Sequence, residues 1–218
     1  MAPSTLPGFD ALSLAQPQKG YRFGPESLVI ADLLARFAPQ SPDRVLDLGC
    51  GCGVLGLIAS ATTGAQAVLV ERNQEMAGFA RRNLGRLPGA ELRVGDLRDI
   101  DLPTCDLVVA NPPFFDPGDG TESGRASTRE ATHAFHGAVE EFVTVAARCL
   151  SSAGQCWVVY PADRLVRLLD AASAAALHPA AIVSLHARHT RRAYRVWACF
   201  ETIPTPTRHL CLSTWTDR

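Results

Sequence analysis

The sequence predicts an α/β fold in which a mostly parallel, seven-stranded sheet carries helices on both faces and ends in an antiparallel hairpin. Two patterns predict it. Short apolar runs alternate with amphipathic helical stretches along most of the chain, as in parallel sheets. Near the end, two strand-like runs follow each other without a helix between them, which favours a hairpin and one antiparallel strand.

The chain begins with a Pro-rich stretch that leads into a helix. Pro25 can open this helix, and its apolar positions as far as Phe37 fall on one helical stripe. Pro39 then ends it. We therefore expect residues 1–40 to form an N-terminal cap segment and helix, and residues 41–218 to form one compact domain.

The remaining elements follow from the alternation of apolar and amphipathic runs. Five helix-linked strands are predicted at 44–48, 67–71, 91–96, 105–110 and 154–161. The helices that join or follow them are expected at 54–61, 74–87, 139–150 and 161–177, and the hairpin strands at 181–185 and 194–201. The Gly- and Ser-rich stretch 116–128 is the one long irregular segment, and loops of that length are often functional or mobile.

Composition narrows the class of protein. The 218 residues suit one domain, and 47% hydrophobic with 20% charged residues are typical of soluble globular chains. Seven scattered cysteines, mostly within apolar runs, favour reduced thiols in the cytoplasm. Cys50 and Cys52 lack a second pair at zinc spacing, so no metal site is expected. Without a signal-like or membrane-length segment, we expect a cytoplasmic protein.

Charge balance limits how the chain could bind nucleic acid. With 21 basic and 22 acidic residues the net charge is −1, so the field of the whole molecule would not attract RNA. RNA binding would need a local patch, and the basic stretch with Arg188, Arg191, Arg192 and Arg195 is the candidate. A solvated hairpin turn explains the same residues equally well.

Polar residues and glycines follow each of the first four strands. In parallel sheets the carboxyl ends of the strands meet at one edge, where ligands bind. Glu71 is suited to accept hydrogen bonds from ribose hydroxyls, and Asp96 from an adenine amino group. The set favours a nucleotide-like cofactor over an ordinary tight turn, and the candidate cofactor-binding residues are Asp47, Gly49, Gly51, Gly53, Glu71, Arg72, Asp96, Leu97 and Asn111.

The glycine loop admits two interpretations. Gly51, Gly53 and Gly56 fit G-x-G-x-x-G, which would indicate an NAD-dependent oxidoreductase. The first of these glycines, however, comes three residues after the strand. The segment D-L-G-C-G-C-G at 47–53 resembles motif I of S-adenosylmethionine-dependent methyltransferases. That resemblance implies a Rossmann-like methyltransferase fold, S-adenosylmethionine as cofactor, and a methionine moiety held by Asp47 and the loop backbone.

The four residues after the fourth predicted strand, Asn111, Pro112, Pro113 and Phe114, are the candidate catalytic group. They resemble the (Asp/Asn)-Pro-Pro-(Tyr/Phe) motif of methyltransferases that act on adenine N6, guanine N2, cytosine N4 or glutamine amide nitrogen. In each acceptor the nitrogen lone pair is delocalised into a π system. The Asn111 oxygen and the Pro112 carbonyl can accept the two N–H groups and turn the lone pair towards the donor, while Phe114 offers a face for stacking.

The N-terminal segment carries a second resemblance. Gln16, followed by Gly20-Tyr21-Arg22-Phe23 and a helix, is similar to the start of the bacterial valine-tRNA adenine-N6 methyltransferases. This implies that Tyr21, Arg22 and Phe23 line the substrate site and that the acceptor is adenine N6 in tRNA. A guanine-N2 rRNA methyltransferase, a protein glutamine-N5 methyltransferase and a non-catalytic RNA-binding module remain alternatives.

Overall fold

One seven-stranded sheet organises the computed structural model, which describes residues 14–18, 22–85, 87–114, 138–186 and 192–205. Its strand order is β3-β2-β1-β4-β5-β7-β6. The pairings among β1 to β5 are parallel, and β7 runs antiparallel to both β5 and β6. The predicted mostly parallel sheet with a C-terminal hairpin is therefore confirmed. The strands are β1 (Arg44–Leu48), β2 (Gln66–Glu71), β3 (Glu91–Val94), β4 (Cys105–Ala110), β5 (Leu150–Pro161), β6 (His178–Leu185) and β7 (Arg195–Glu201).

Helices cover both faces of the sheet, as predicted. Three of them pack on one face and share a buried apolar cluster with it: α1 (Pro25–Phe37), α2 (Val54–Thr63) and α3 (Gln74–Leu84). The other two, α4 (Ala138–Cys149) and α5 (Leu165–Ala174), cover the opposite face and form a second cluster. The sheet is thus buried on both sides, which is why its central strands are almost wholly apolar.

The N-terminal helix is joined to the C-terminal hairpin. Ile30 and Leu34 are buried in the first cluster, and the indole Nε1 of Trp197 on β7 donates to the Glu26 carbonyl at 2.9 Å. The cap-and-helix unit predicted for residues 1–40 therefore includes a helix that packs on the sheet. Among the described helices, none combines the length and apolar character needed to cross a membrane.

Several predicted boundaries differ from the structure. The helix predicted over 161–177 begins as a 3-10 turn, Ala162–Arg164, and α5 starts only at Leu165. Strand β6 begins at His178, three residues before its predicted start, because a sheet edge tolerates Pro179, which lacks an N–H donor. The third strand ends at Val94, so Asp96 lies in the turn that follows it.

Strand register decides which loops meet at the carboxyl edge. Leu48 at the end of β1 is level with Val70 on β2 and with Ala110 on β4. The next residues, Gly49 and Asn111, therefore follow adjacent parallel strands, whose backbones lie about 4.8 Å apart. The predicted loop 116–128 lies outside the described residues.

The spacing between α2 and β1 depends on Gly56. A Cβ atom at this position would lie 2.8 Å from the Cβ of Asp47 and 3.2 Å from Leu69 Cδ1, so any larger residue would push the helix off the sheet. In contrast, a Cβ at Gly78 on α3 would meet nothing within 4 Å. The two helical glycines thus form a matched pair.

We expect Gly56→Ala to lower the free energy of unfolding by about 1–3 kcal/mol, since it overpacks a helix–sheet contact. Gly78→Ala should raise it by about 0.5–1 kcal/mol, because alanine loses less backbone entropy in a helix. Urea unfolding of both variants measures the difference. Equal effects of the two substitutions would contradict the tight spacing inferred for α2.

Candidate active site

A glycine loop connects β1 to α2 at the carboxyl edge of the sheet. Gly49, Gly51 and Gly53 all adopt positive φ angles, of 65°, 57° and 88°. A side chain is disfavoured there by backbone conformation, and at Gly53 also by space, since a Cβ would lie 2.7 Å from Leu69 Cδ2. The loop is therefore a closely fitted backbone turn.

Glu71, the last residue of β2, holds this loop. Its Oε2 accepts from the Gly51 N–H at 2.8 Å and its Oε1 from the Asn73 N–H at 2.7 Å. Burial raises the pKa of the Glu71 carboxyl, opposed by these backbone donors. Each carboxylate oxygen can accept a second hydrogen bond, so the group can still bind ribose hydroxyls in the predicted way.

Asp47 lies beneath the loop and is 1% exposed. Its Oδ2 accepts from the Gly56 N–H at 2.7 Å, whereas its buried Oδ1 has no hydrogen-bond partner among the described residues. The pKa of Asp47 is raised to about 7, mainly by burial and also by the nearby Glu71 charge, while the Gly56 hydrogen bond opposes the shift. A buried acceptor without a donor is costly. Asp47 Oδ1 is thus suited to a ligand that brings an N–H group or positive charge.

Asp96, unlike Asp47 and Glu71, has a lowered pKa because it lies beside arginines. Arg98 binds it in a bidentate manner, with Nε 2.8 Å from Oδ1 and Nη2 2.7 Å from Oδ2, and Arg72 Nη1 lies 3.7 Å from Oδ2. The Arg98 hydrogen bond lowers the pKa of Asp96. The carboxylate therefore stays ionised and fixed as an acceptor. The side chain of its neighbour Leu97 is buried in the second cluster, so that residue can offer a ligand mainly its backbone.

The Asn111-Pro112-Pro113-Phe114 segment follows β4 directly, level with the glycine loop. Asn111 is partly exposed, and its Oδ1 atom is shielded from solvent. A hydrogen bond to that oxygen would form in a medium of low dielectric, where it is electrostatically stronger.

Aromatic and cationic side chains surround Phe114. The Arg195 guanidinium lies over its ring at 4.6 Å from the centroid, and Tyr160 meets it edge-on at 6.4 Å and 75°. Arg164 donates a hydrogen bond to the Phe114 carbonyl. Arg195 therefore occupies one face of the ring, and a flat acceptor would have to stack on the other.

The predicted substrate residues are only partly described. Arg22 and Arg192 are exposed, while Phe23 packs against the first cluster. Tyr21, Arg188 and Arg191 lie outside the described residues. The structure thus brings the glycine loop, Glu71, Asp96 and Asn111 to one edge of the sheet.

Sequence reasoning missed several side chains that contact this site: Asn83, Arg98, Tyr160 and Arg164. Tyr160 had a usable signal, because it stands at the carboxyl end of β5 like the polar residues that end the other strands. Arg98 lies two residues after Asp96, within reach of its carboxylate. Asn83 and Arg164 contact partners 31 and 50 residues away, which no local pattern indicates.

Comparison with known proteins decides the family. The sequence model of the methyltransferase small domain family matches residues 29–169. The chain belongs to this family. It is an S-adenosylmethionine-dependent methyltransferase, as the motif I resemblance predicted, and the oxidoreductase alternative is set aside.

Curated relatives of this methyltransferase include several proteins named tRNA1(Val) (adenine(37)-N6)-methyltransferase. The protein from Erwinia tasmaniensis is 30% identical over 75% of this chain and 70% of its own length. The protein from Tolumonas auensis is 28% identical over 76% and 70%. Against the Escherichia coli (strain SE11) protein the identity is 31%, and the match covers 59% of this chain and 56% of that one.

Solved structures agree on the fold. A putative RNA methyltransferase from Pyrococcus horikoshii has a TM-score of 0.65 at 18% identity, with 89% of this chain and 95% of that chain covered. A putative class I methyltransferase from Listeria monocytogenes has a TM-score of 0.63 at 14% identity, with 91% and 67% covered. At these identities the likeness shows the fold alone. It confirms the predicted Rossmann-like methyltransferase fold.

The residues present fit S-adenosylmethionine. When bound, this cofactor supplies a methyl group activated by a sulfonium charge. Asp47, the glycine loop, Glu71 and Asp96 would hold it, because they offer acceptors for an ammonium group, ribose hydroxyls and an adenine amino group. The unpartnered Asp47 Oδ1 is the observation in the structure that supports this fit.

We expect the affinity for S-adenosylmethionine to rise as the pH increases towards about 7, the range in which Asp47 loses its proton. Below that pH the buried Asp47 is mostly protonated, and a cationic ligand stabilises the ionised form, so binding releases a proton. Calorimetry from about pH 5 to about pH 9, in two buffers of different ionisation enthalpy, measures both effects. Asp47→Asn should bind more weakly and without this slope. A slope that persists in Asp47→Asn would assign the proton release to another group, such as Glu71.

Proposed function

We propose that this methyltransferase transfers a methyl group to the N6 amino nitrogen of adenine in tRNA, and that adenine 37 of tRNA1(Val) is its substrate. One observation carries the proposal: Asn111 and the prolines after it follow β4, which is paired with β1, so they lie level with Gly49 at the start of the glycine loop. A group bound by this segment would lie next to the cofactor that the loop binds.

The chemistry of the segment suits an amino nitrogen conjugated to a ring. Such a nitrogen is a poor nucleophile until its lone pair is turned out of the π system. The side-chain oxygen of Asn111 and the carbonyl of Pro112 would accept its two N–H groups and orient the lone pair. Positioning and dipole stabilisation would then supply most of the rate, and no general base is needed before the attack.

The surroundings of Phe114 favour a flat acceptor. Stacking of a nucleobase on an aromatic side chain is worth about 1–3 kcal/mol. The Arg195 guanidinium above the opposite face and the edge of Tyr160 hold the ring in place. The acceptor would thus meet a rigid stacking surface beside Asn111.

A local cluster of arginines supports an RNA substrate despite the net charge of −1. Arg164 and Arg195 both contact Phe114, and Arg195 is level with Pro161 in the pairing of β5 with β7. Arg192 lies three residues before Arg195 and is exposed. Phosphate groups near the stacked base would meet these guanidinium groups. The names of the curated relatives support the same acceptor.

Asn111→Ala should lower kcat at least about a hundredfold while the affinity for S-adenosylmethionine stays within a few fold, because it removes an interaction with the acceptor. Asn111→Asp keeps an oxygen acceptor and should retain more turnover than Asn111→Ala. Single-turnover methylation and calorimetric cofactor binding measure the two quantities. Parallel losses of turnover and affinity would make Asn111 a structural residue.

The acceptor is tested with the full chain, labelled S-adenosylmethionine and unmodified tRNA1(Val) transcripts. Nucleoside mass spectrometry should find the label in N6-methyladenosine. A transcript in which adenine 37 is replaced by guanine is the matched control and should take up no label. Label at another adenine of the control transcript would contradict adenine 37 as the methylated position.

Two further outcomes would contradict the proposed acceptor base or the proposed RNA substrate. Label in N2-methylguanosine of ribosomal RNA, with none in tRNA, would indicate the guanine-N2 alternative. Label in glutamine of a protein would indicate the glutamine-N5 alternative. Asn111→Ala, which lacks the proposed acceptor contact, is the enzyme control in each arm.

A further inference from the structure

Asn83 is a buried polar residue with three hydrogen bonds to the main chain. It lies near the end of α3 and is 1% exposed. Its Oδ1 accepts from the Ala15 N–H at 2.8 Å, and its Nδ2 donates to the Ala15 carbonyl and to the Cys52 carbonyl, each at 2.8 Å. Both N–H donors of the amide and its oxygen are therefore used.

These bonds join two segments that are distant in sequence. Ala15 is 68 residues from Asn83 and belongs to the described N-terminal segment 14–18, in which Leu14 and Pro17 are buried. Cys52 is 31 residues away and belongs to the cofactor loop. One side chain thus binds both the segment that precedes Arg22 and the loop that binds the cofactor.

Asn83 and Glu71 hold adjacent residues of the glycine loop. Glu71 accepts from the Gly51 N–H, and Asn83 donates to the carbonyl of the next residue, Cys52. If the loop changes and the Cys52 carbonyl moves, either the Asn83–Cys52 hydrogen bond breaks or the Asn83 side chain moves with it and strains its hydrogen bonds to Ala15. The loop and the N-terminal segment share one hydrogen-bonding group.

The docked segment also carries an unsatisfied group. Gln16 Oε1 is shielded from solvent and has no hydrogen-bond partner in the part of the chain that the structure describes. An unpaired buried acceptor opposes docking, so the docked state is open to bias from a ligand. The hydrogen bonds of Asn83 to Ala15 favour docking of the segment.

We infer that Asn83 is a positioning residue that couples docking of the segment 14–18 to the cofactor loop, so that S-adenosylmethionine binding and segment docking stabilise each other. By linkage, the factor by which the cofactor favours docking equals the factor by which docking favours cofactor binding. The inference goes beyond the proposed acceptor and holds whichever nitrogen is methylated.

A purely structural role for Asn83 makes different predictions. A buried amide that only stabilises the fold would, when removed, lower global stability and leave the effect of the cofactor on the segment unchanged. The discriminating readout is therefore amide hydrogen exchange at residues 14–16 of the full chain, measured without and with saturating S-adenosylmethionine. The cofactor should slow this exchange about fivefold or more in the unaltered protein, within the usual range of coupling.

Three variants test the coupling. Asn83→Ala should speed exchange at residues 14–16 and abolish the cofactor's effect on it. Ala15→Pro removes the N–H that donates to Asn83 without changing a residue of the glycine loop, and should weaken cofactor binding by about the factor by which the cofactor slows exchange in the unaltered protein. Leu168→Ala creates a cavity in the second cluster, on the other face of the sheet. It should lower stability but leave cofactor affinity and the cofactor's effect on exchange unchanged.

The decisive variant is Ala15→Pro. If it releases the segment, seen as fast exchange at residues 14 and 16, and cofactor affinity stays unchanged, the coupling is absent. The inference is also overturned if the cofactor leaves exchange at residues 14–16 unaltered in the original protein, or if Leu168→Ala reproduces the results of Asn83→Ala.

Discussion

The parallel register of β1, β2 and β4 is the constraint on which the site depends. Leu48 pairs level with Val70 and Ala110, so the glycine loop, Glu71 and Asn111 all begin at the same edge. Parallel strands point their carboxyl ends one way, and helices on both faces fill the space around the crossovers. A shift of one residue in any of these pairings would turn side chains to the opposite face and separate the Asn111–Phe114 segment from the glycine loop.

Three carboxylates at this edge differ in their electrostatic setting. Asp47 and Glu71 are buried, which raises the pKa of each, and both bind backbone N–H groups of the loop or of the helix after it. Asp96 is ionised more readily because Arg98 binds it and lowers its pKa. Asp47 and Asp96 thus differ as hydrogen-bond acceptors. A cationic ligand would favour the ionised form of Asp47, whereas Asp96 is kept ionised by Arg98. Burial and one arginine account for the difference.

Side chains that belong to neither motif hold the Asn111–Phe114 segment and the glycine loop in place. Arg195 and Tyr160 hold the Phe114 ring from the C-terminal half of the sheet. Asn83 holds the N-terminal segment against the loop. Both connections come from elements that flank the site in space. The segments proposed to meet the substrate are therefore positioned by the same elements that hold the glycine loop. A chain with a net charge of −1 can in this way present guanidinium groups beside the proposed nucleotide acceptor.

Hydrophobic alternation and local chemistry were enough to predict the strands, the loop at 49–53 and the residues that end β1, β2 and β4, since each depends on neighbours within a few positions. The order of the strands, the bond from Asn83 to Ala15 and the contact of Arg195 with Phe114 depended on the tertiary structure. Their partners stand tens of residues apart, and nothing in the sequence near either partner indicates the other. Asp96 shows the boundary between the two. Its place after β3 and the reach of Arg98, two residues further on, are local, but Arg72 reaches the same carboxylate only because the turns after β2 and β3 meet at one edge of the folded sheet.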